Sequence, residues 1–243
     1  MNWGDSQTSK GVTERDFTVA CRERSVPGVL WTPEESNTPT PLVLIGHGGN
    51  GHKREGHLVA LARRFVRHNG IAAATIDGPA HGDREPEEAK GEPFEERRKR
   101  YVGESITDGM VEDWKATLDA LQKLPEIGIG PVGYWGLSMG TMFGLPFVSA
   151  EPRIDAAVLG LMGPFGGDDR LRRDAPAITC PILFLQQWDD ELIPRERSSE
   201  LFGAIGSKNR RLHANPGLHA AVPPDEFLNT QNFLAEHLVP KKA

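Results

Sequence analysis

The chain has 243 residues, 38% of them hydrophobic and 26% charged, and its 28 Lys+Arg against 34 Asp+Glu leave a formal charge of −6. That balance suits one buried core, since α/β domains reach about 250 residues, and it excludes compositional disorder and a phosphate-neutralising nucleic-acid surface. With two cysteines, no apolar run near the roughly 20 residues that span a bilayer and no basic-then-apolar leader, the expectation is a cytoplasmic protein without disulfide framework, membrane span or signal peptide.

In chain order, Phe17–Cys21 and Val26–Trp31 read as short strands entering a sheet. Pro41–Ile45 is a continuous apolar run ending at a Gly-rich turn, as a strand covered on both faces would. Leu58, Leu61, Ala62, Phe65 and Val66 follow helical spacing, and Gly70 stands where a left-handed cap is expected. Ile71–Ile76 is the next strand. A long helix carries Ile106, Met110, Trp114, Leu118 and Leu121, followed by strand Val132–Trp135 and a helix from Ser138. Pro146 is expected to kink or shorten that helix. Strands at Ile154–Leu161, Pro181–Gln186 and Arg210–His213 then alternate with a short helix, a helix at Arg195–Ile205 and a closing helix at Pro224–Leu238. The pattern predicts a single α/β domain over 1–243: a three-layer sandwich with a mostly parallel eight-stranded sheet and helices on both faces.

In such sheets ligands bind beyond the carboxyl ends of the strands. Segments 46–52, 77–84, 136–140, 187–194 and 213–220 fall there and are rich in Gly, His, Asp or Ser. Gly136-Leu-Ser138-Met-Gly140 follows a strand and opens a helix. A turn this sharp strains its central residue, and flanking glycines let the backbones approach without a Cβ clash. Ser138 is thereby raised at a helix N-terminus as a nucleophile. Serine needs a base, and the base needs an orienting acid. Asp189 and Asp190 lie after the strand Ile182–Gln186, and His219 lies in a Gly-containing loop before the last helix. Of eight histidines, His213 falls in a strand, and His68 and His237 fall near helix ends, where they read as structural or surface residues.

The order Ser…Asp…His resembles that of serine hydrolases of the α/β-hydrolase fold, closest in style to compact dienelactone-hydrolase-like esterases. The resemblance covers essentially the whole chain. That family's acid loop often reads Gly-x-x-Asp-x-x-Val-Pro; Gln187-x-x-Asp190-x-x-Ile193-Pro194 matches except at Gln187, and this register selects Asp190 over Asp189. Dienelactone hydrolases proper generally carry Cys where Ser138 stands, so the resemblance implies an esterase rather than that reaction. It also implies an oxyanion hole made by the N–H groups of Gly49 and Met139, with His47 bracing the loop. His81, in Asp77-Gly-Pro-Ala-His81-Gly-Asp, would shape the site.

The expected activity is a serine carboxylesterase for small soluble esters, with lactonase, thioesterase or peptidase chemistry as variants on the same residues. No cofactor and no metal are implied: His47, His52 and His57, five apart, would turn about 140° between neighbours on a helix. Gly46-His-Gly48-Gly49-Asn-Gly51 taken literally is also G-x-G-x-x-G with Asp77 after the next strand, the mark of a dinucleotide-dependent oxidoreductase. Polar Glu55 at the helix start argues against that rival. Leu137, Met162, Phe165 and Trp188 are the expected pocket walls. The charged insertion at 79–105 reads either as a solvated helix laced with i, i+4 ion pairs or as a partial cap. The partner expected is a small-molecule ester, and the sequence is compatible with a monomer or a homodimer.

Overall fold

A computed structural model describes residues 1–35, 39–167 and 169–240, with the side chains at 94 and 95 left aside. The apolar run Leu42–Gly46 forms β4, buried at every residue. Its successive side chains alternate between two cores: Leu42 and Leu44 face one, Val43 and Ile45 the other. Ala72–Ile76 (β5), Val132–Gly136 (β6) and Ile182–Gln187 (β8) are buried along their whole length. Such continuous apolar runs belong to a sheet covered on both sides.

Asn2–Ser9 (β1), Val12–Cys21 (β2) and Arg24–Pro33 (β3) form an antiparallel arm, and Ile154–Gly160 (β7) and Arg210–Asn215 (β9) complete a nine-stranded sheet. The order is β1-β2-β3-β5-β4-β6-β7-β8-β9, parallel from β5 onward. The sequence reading expects eight strands and lacks β1. All eight β1 residues are exposed, so no burial periodicity announces that strand; backbone pairing to β2 makes it, joined by exposed cross-strand contacts such as Trp3 edge-on to Phe17 and the Thr8 and Thr13 hydroxyls at 2.9 Å.

Helices Glu104–Leu121 (α3), Met139–Ala150 (α4) and Arg195–Ala204 (α6) cover one face, through Trp114, Phe143, Phe147 and Leu201. Gly56–Arg64 (α1) and Pro224–Leu238 (α7) cover the other, through Leu58, Leu61 and Leu234. After α1 the chain widens into a π-helical turn, Phe65–Asn69, closed by Gly70 at φ 63°. Pro146 lies inside α4 without ending it. The helix runs on to Ala150, because burial of Leu145, Phe147 and Val148 against the core outweighs the lost bond to the Met142 carbonyl. Two short helices, Phe94–Lys99 (α2) and Arg170–Asp174 (α5), lie over the carboxyl end of the sheet. Among the described residues no helix is long and apolar enough to cross a membrane.

Candidate active site

Ser138 sits between the tip of β6 and the first residue of α4 at φ 58°, ψ −120°, a conformation that costs a non-glycine residue of order 1–3 kcal/mol. The surroundings over-determine it. Ser138 N–H donates to Gly160 O at 3.0 Å, and Gly140 N–H to Leu137 O at 2.9 Å. A Cβ on Gly136 would stand 2.7 Å from Gly140 O, and one on Gly140 2.8 Å from Gly46 O, so both flanking positions must be glycine. Thr141, fully buried, places its hydroxyl 2.8 Å from Gly136 O and 2.7 Å from Gly160 O, and accepts Gly160 N–H at 2.7 Å.

From this turn a hydrogen-bonded chain runs back into the protein. Ser138 Oγ lies 2.9 Å from His219 Nε2, and His219 Nδ1 lies 2.7 Å from Asp190 Oδ2. The Asp190 side chain is 2% exposed, and its other oxygen accepts Leu192 N–H at 2.9 Å and Ile193 N–H at 2.8 Å. Asp189 is occupied elsewhere, accepting Gly217 N–H at 3.1 Å. Of the two acids that the sequence offers, the structure brings Asp190 to the His219 ring.

The loop after β4 brings Gly49 against Met139; both line the cavity beside Ser138. Met139 is the first residue of α4, where backbone N–H groups have no intrahelical partner. His47 is buried and braces the loop at both nitrogens: Nδ1–H donates to Gly48 O at 2.8 Å, and Nε2 accepts Gly78 N–H at 2.8 Å. Burial, with the neighbouring His81 adding to it, pushes the His47 pKa down to about 4, so the ring is neutral at pH 7. His81 lies 2.9 Å from Gly49 O and 2.7 Å from Pro79 O, and its ring meets that of Tyr101 at 4.7 Å, tilted by 58°.

Asp77, which the dinucleotide reading needs for a ribose, is fully buried. It accepts Lys53 N–H at 2.8 Å, the Lys53 ammonium at 2.7 Å and Asp83 N–H at 2.9 Å. The Gly-rich loop also does not abut a helix, since α1 opens only at Gly56. No three His, Cys, Asp or Glu side chains converge as metal ligands among the described residues.

The cavity over Ser138 holds about 530 Å³. Met162 and Phe165 line it as expected; Leu137 and Trp188 do not. Leu137 is 7% exposed and turns into the core on the α1 and α7 side, because it continues the alternation of β6. Trp188 is 52% exposed and lies against the Arg195 guanidinium at 4.6 Å. Sequence reasoning missed Tyr101, Met142 and Ile193, which also line the cavity. Tyr101 comes from segment 79–105, where charge hides an inward aromatic. Among the described side chains that segment carries the i, i+3 pairs Lys90–Glu87 and Lys99–Glu96, and it presents Arg98, Tyr101 and Val102 to the cavity. Phe165, 41% exposed, lies between the guanidinium groups of Arg98 at 5.9 Å and Arg197 at 5.1 Å.

No family model matches the sequence. Among solved structures, a cold-adapted esterase from an Arctic intertidal metagenomic library, with polyethylene glycol bound, is 40% identical; the match covers 98% of this chain and 100% of that one, with a TM-score of 0.87. Est1E from Butyrivibrio proteoclasticus is 17% identical over 93% of this chain and 99% of that one, with a TM-score of 0.69. A dienelactone hydrolase candidate from Klebsiella pneumoniae is 14% identical over 95% and 99%, with a TM-score of 0.79. The last two speak for the fold alone. With two-fifths of its residues shared along the whole length of the Arctic enzyme, the chain belongs to the α/β-hydrolase esterases, enzymes that cleave carboxylic esters.

Proposed function

We propose that this esterase works through an acyl-enzyme on Ser138. His219 takes the Ser138 proton as Oγ attacks the ester carbonyl, and the oxyanion is held by the N–H groups of Gly49 and Met139. His219 then returns the proton to the leaving alcohol, and water, deprotonated by the same ring, releases the acid. Asp190 keeps Nδ1 protonated and stabilises the imidazolium. The observation that carries this reading is the unbroken chain Ser138–His219–Asp190, at 2.9 and 2.7 Å, ending on a strained serine.

The substrate class we propose is small soluble esters. Met142, Met162, Phe165 and Ile193 offer an apolar wall, and 530 Å³ lies within the roughly 300–1,000 Å³ of small-molecule sites. Segment 79–105 serves as a partial cap: Tyr101 closes the cavity beside Gly49, and α2 forms part of its rim. The test is hydrolysis of p-nitrophenyl acetate and butyrate by the wild type and Ser138→Ala, with fluorophosphonate labelling of each. Ser138→Ala should lose about 10⁴-fold or more in kcat and take up no label. Retained activity or label in the variant would overturn the assignment.

A further inference from the structure

The loop that carries His219 has little of its own to hold it. It runs from β9 to α7 with no residue fully buried, Leu218 standing 55% exposed and Val222 packed at the edge of the core, and its internal backbone bonding among described residues is Ala221 N–H to Leu218 O. Apolar burial thus gives the loop only the half-buried Val222, three residues past His219.

What places it is the neighbouring acid loop, residue by residue. Gln187, 1% exposed, turns its side-chain NH₂ toward three carbonyls of the His219 loop: Ala221 O at 3.0 Å, and Pro216 O and Leu218 O at 3.3 Å each. Its own Oε1 is buried without a partner among the described residues, so the side-chain hydrogen bonding of Gln187 goes to that loop. Asp189 exchanges bonds with Gly217, N–H to O at 3.2 Å and N–H to Oδ2 at 3.1 Å. Glu191 Oε2 accepts the backbone N–H of His219 itself at 2.8 Å. That bond, followed by its own backbone N–H, holds the Glu191 carboxyl below the usual carboxylate range.

We infer that Gln187 and Glu191 are positioning residues for the reaction. Glu191 fixes the main chain of His219 while Asp190 fixes its ring, and Gln187 fixes the return of the loop toward α7. Nε2 is thereby kept 2.9 Å from Ser138 Oγ before substrate arrives. Gln187 is the one departure of this acid loop from the glycine of the resembling pattern, and it has this task. The inference rests on Ser138 and His219 being the reacting pair.

The test compares Gln187→Gly, Glu191→Ala and Glu191→Gln with the wild type on p-nitrophenyl acetate, at a temperature where circular dichroism shows each folded. An ångström of misplacement costs up to about 100-fold in rate, so Gln187→Gly and Glu191→Ala should each lower kcat about tenfold or more with KM within about twofold. Glu191→Gln keeps a side-chain oxygen for His219 N–H and should recover most of the loss. Val66→Ala, a remote core truncation in the π-helical turn, lowers Tm and should leave kcat unchanged. The inference falls if Gln187→Gly and Glu191→Ala stay within about twofold of wild-type kcat, if Gln at 191 is no better than Ala, or if Val66→Ala loses as much kcat as they do. Should Gln187→Gly fail to fold, the two Glu191 variants decide alone. Undiminished activity in Ser138→Ala would instead strike the proposed function beneath.

Discussion

Replacing Asp190 by Asn tests the site through a proton's position rather than through a lost contact. Asp190 Oδ1 accepts two backbone N–H groups, from Leu192 and Ile193, at 2.9 and 2.8 Å. An asparagine must keep its carbonyl oxygen toward those donors, because turning its NH₂ there would set three donors against one another. The NH₂ then faces His219 Nδ1, which has to become an acceptor, so the ring proton moves to Nε2. Nε2–H points at Ser138 Oγ and cannot take its proton. The side chain is only 2% exposed, so no water restores the tautomer. The same inversion in a triad of this kind costs about 10⁴-fold in kcat, or about 5.4 kcal/mol. Steady-state kinetics on p-nitrophenyl acetate should show this loss in Asp190→Asn with an unchanged circular dichroism spectrum. Asp189→Asn, whose carbonyl still accepts Gly217 N–H, should lose less than about tenfold. A loss under tenfold in Asp190→Asn, or a greater loss in Asp189→Asn, would refute the argument.

The neutral His47 makes stability pH-dependent. Its pKa is lowered from about 6.5 when unfolded to about 4 when folded, so its contribution is complete above pH 6.5 and about 3 kcal/mol of it is lost as pH falls to 4. Melting curves between pH 7 and 4 should fall less steeply for His47→Asn than for the wild type, and parallel curves would contradict this. Gly140→Ala should lower both Tm and kcat, since its Cβ would stand 2.8 Å from Gly46 O and push the turn off β4. Thermal melts and ester hydrolysis check it, and a variant with wild-type kcat would show that the close approach is not needed.

How much of this was legible beforehand depends on where the information lies. Ser138, Asp190 and His219, which the structure brings within hydrogen-bond reach of one another, stand where turn chemistry and strand tips are written locally, in two glycines, an Asp-x-x-Ile-Pro run and a Gly-Leu-His loop. The central strands were readable because burial on both faces leaves only apolar residues. β1 was not, since every residue of Asn2–Ser9 is exposed and leaves no burial pattern to read. Trp188 was misplaced because proximity in sequence to the acid does not say which way a loop side chain turns, and the Arg195 guanidinium draws it outward. Leu137 neighbours the nucleophile and still belongs to the core, by the alternation of a strand. Tyr101 and Gln187 depend on contacts between segments far apart in the chain, which a single sequence does not display.

The strain at Ser138 also has to be held by something, and Thr141 is the residue the structure offers. Its hydroxyl sits between the end of β6 and the end of β7, facing Gly136 O and Gly160 O and accepting Gly160 N–H. Gly160 O is in turn the acceptor for Ser138 N–H, so one hydroxyl ties the strained residue to two strands. Thr141→Val keeps the shape and removes the bonds, leaving a buried N–H and carbonyl without their partner at a cost of about 1–3 kcal/mol. At this chain length each kcal/mol lowers Tm by about 2–4 °C. If the tie merely stabilises the fold, Tm will drop with kcat unchanged at temperatures well below melting. If it holds the nucleophile in its strained conformation, kcat will fall as well, and Thr141→Ser, which restores the hydroxyl but not the methyl, will recover kcat more fully than Tm. The second outcome is expected, because the turn's other anchors to the sheet, Ser138 N–H to Gly160 O and the Tyr134 hydroxyl to Gly140 O, leave Gly136 O and Gly160 N–H without the hydroxyl that links β6 to β7. A Thr141→Val enzyme with wild-type kcat would show that the two strand ends hold the elbow unaided.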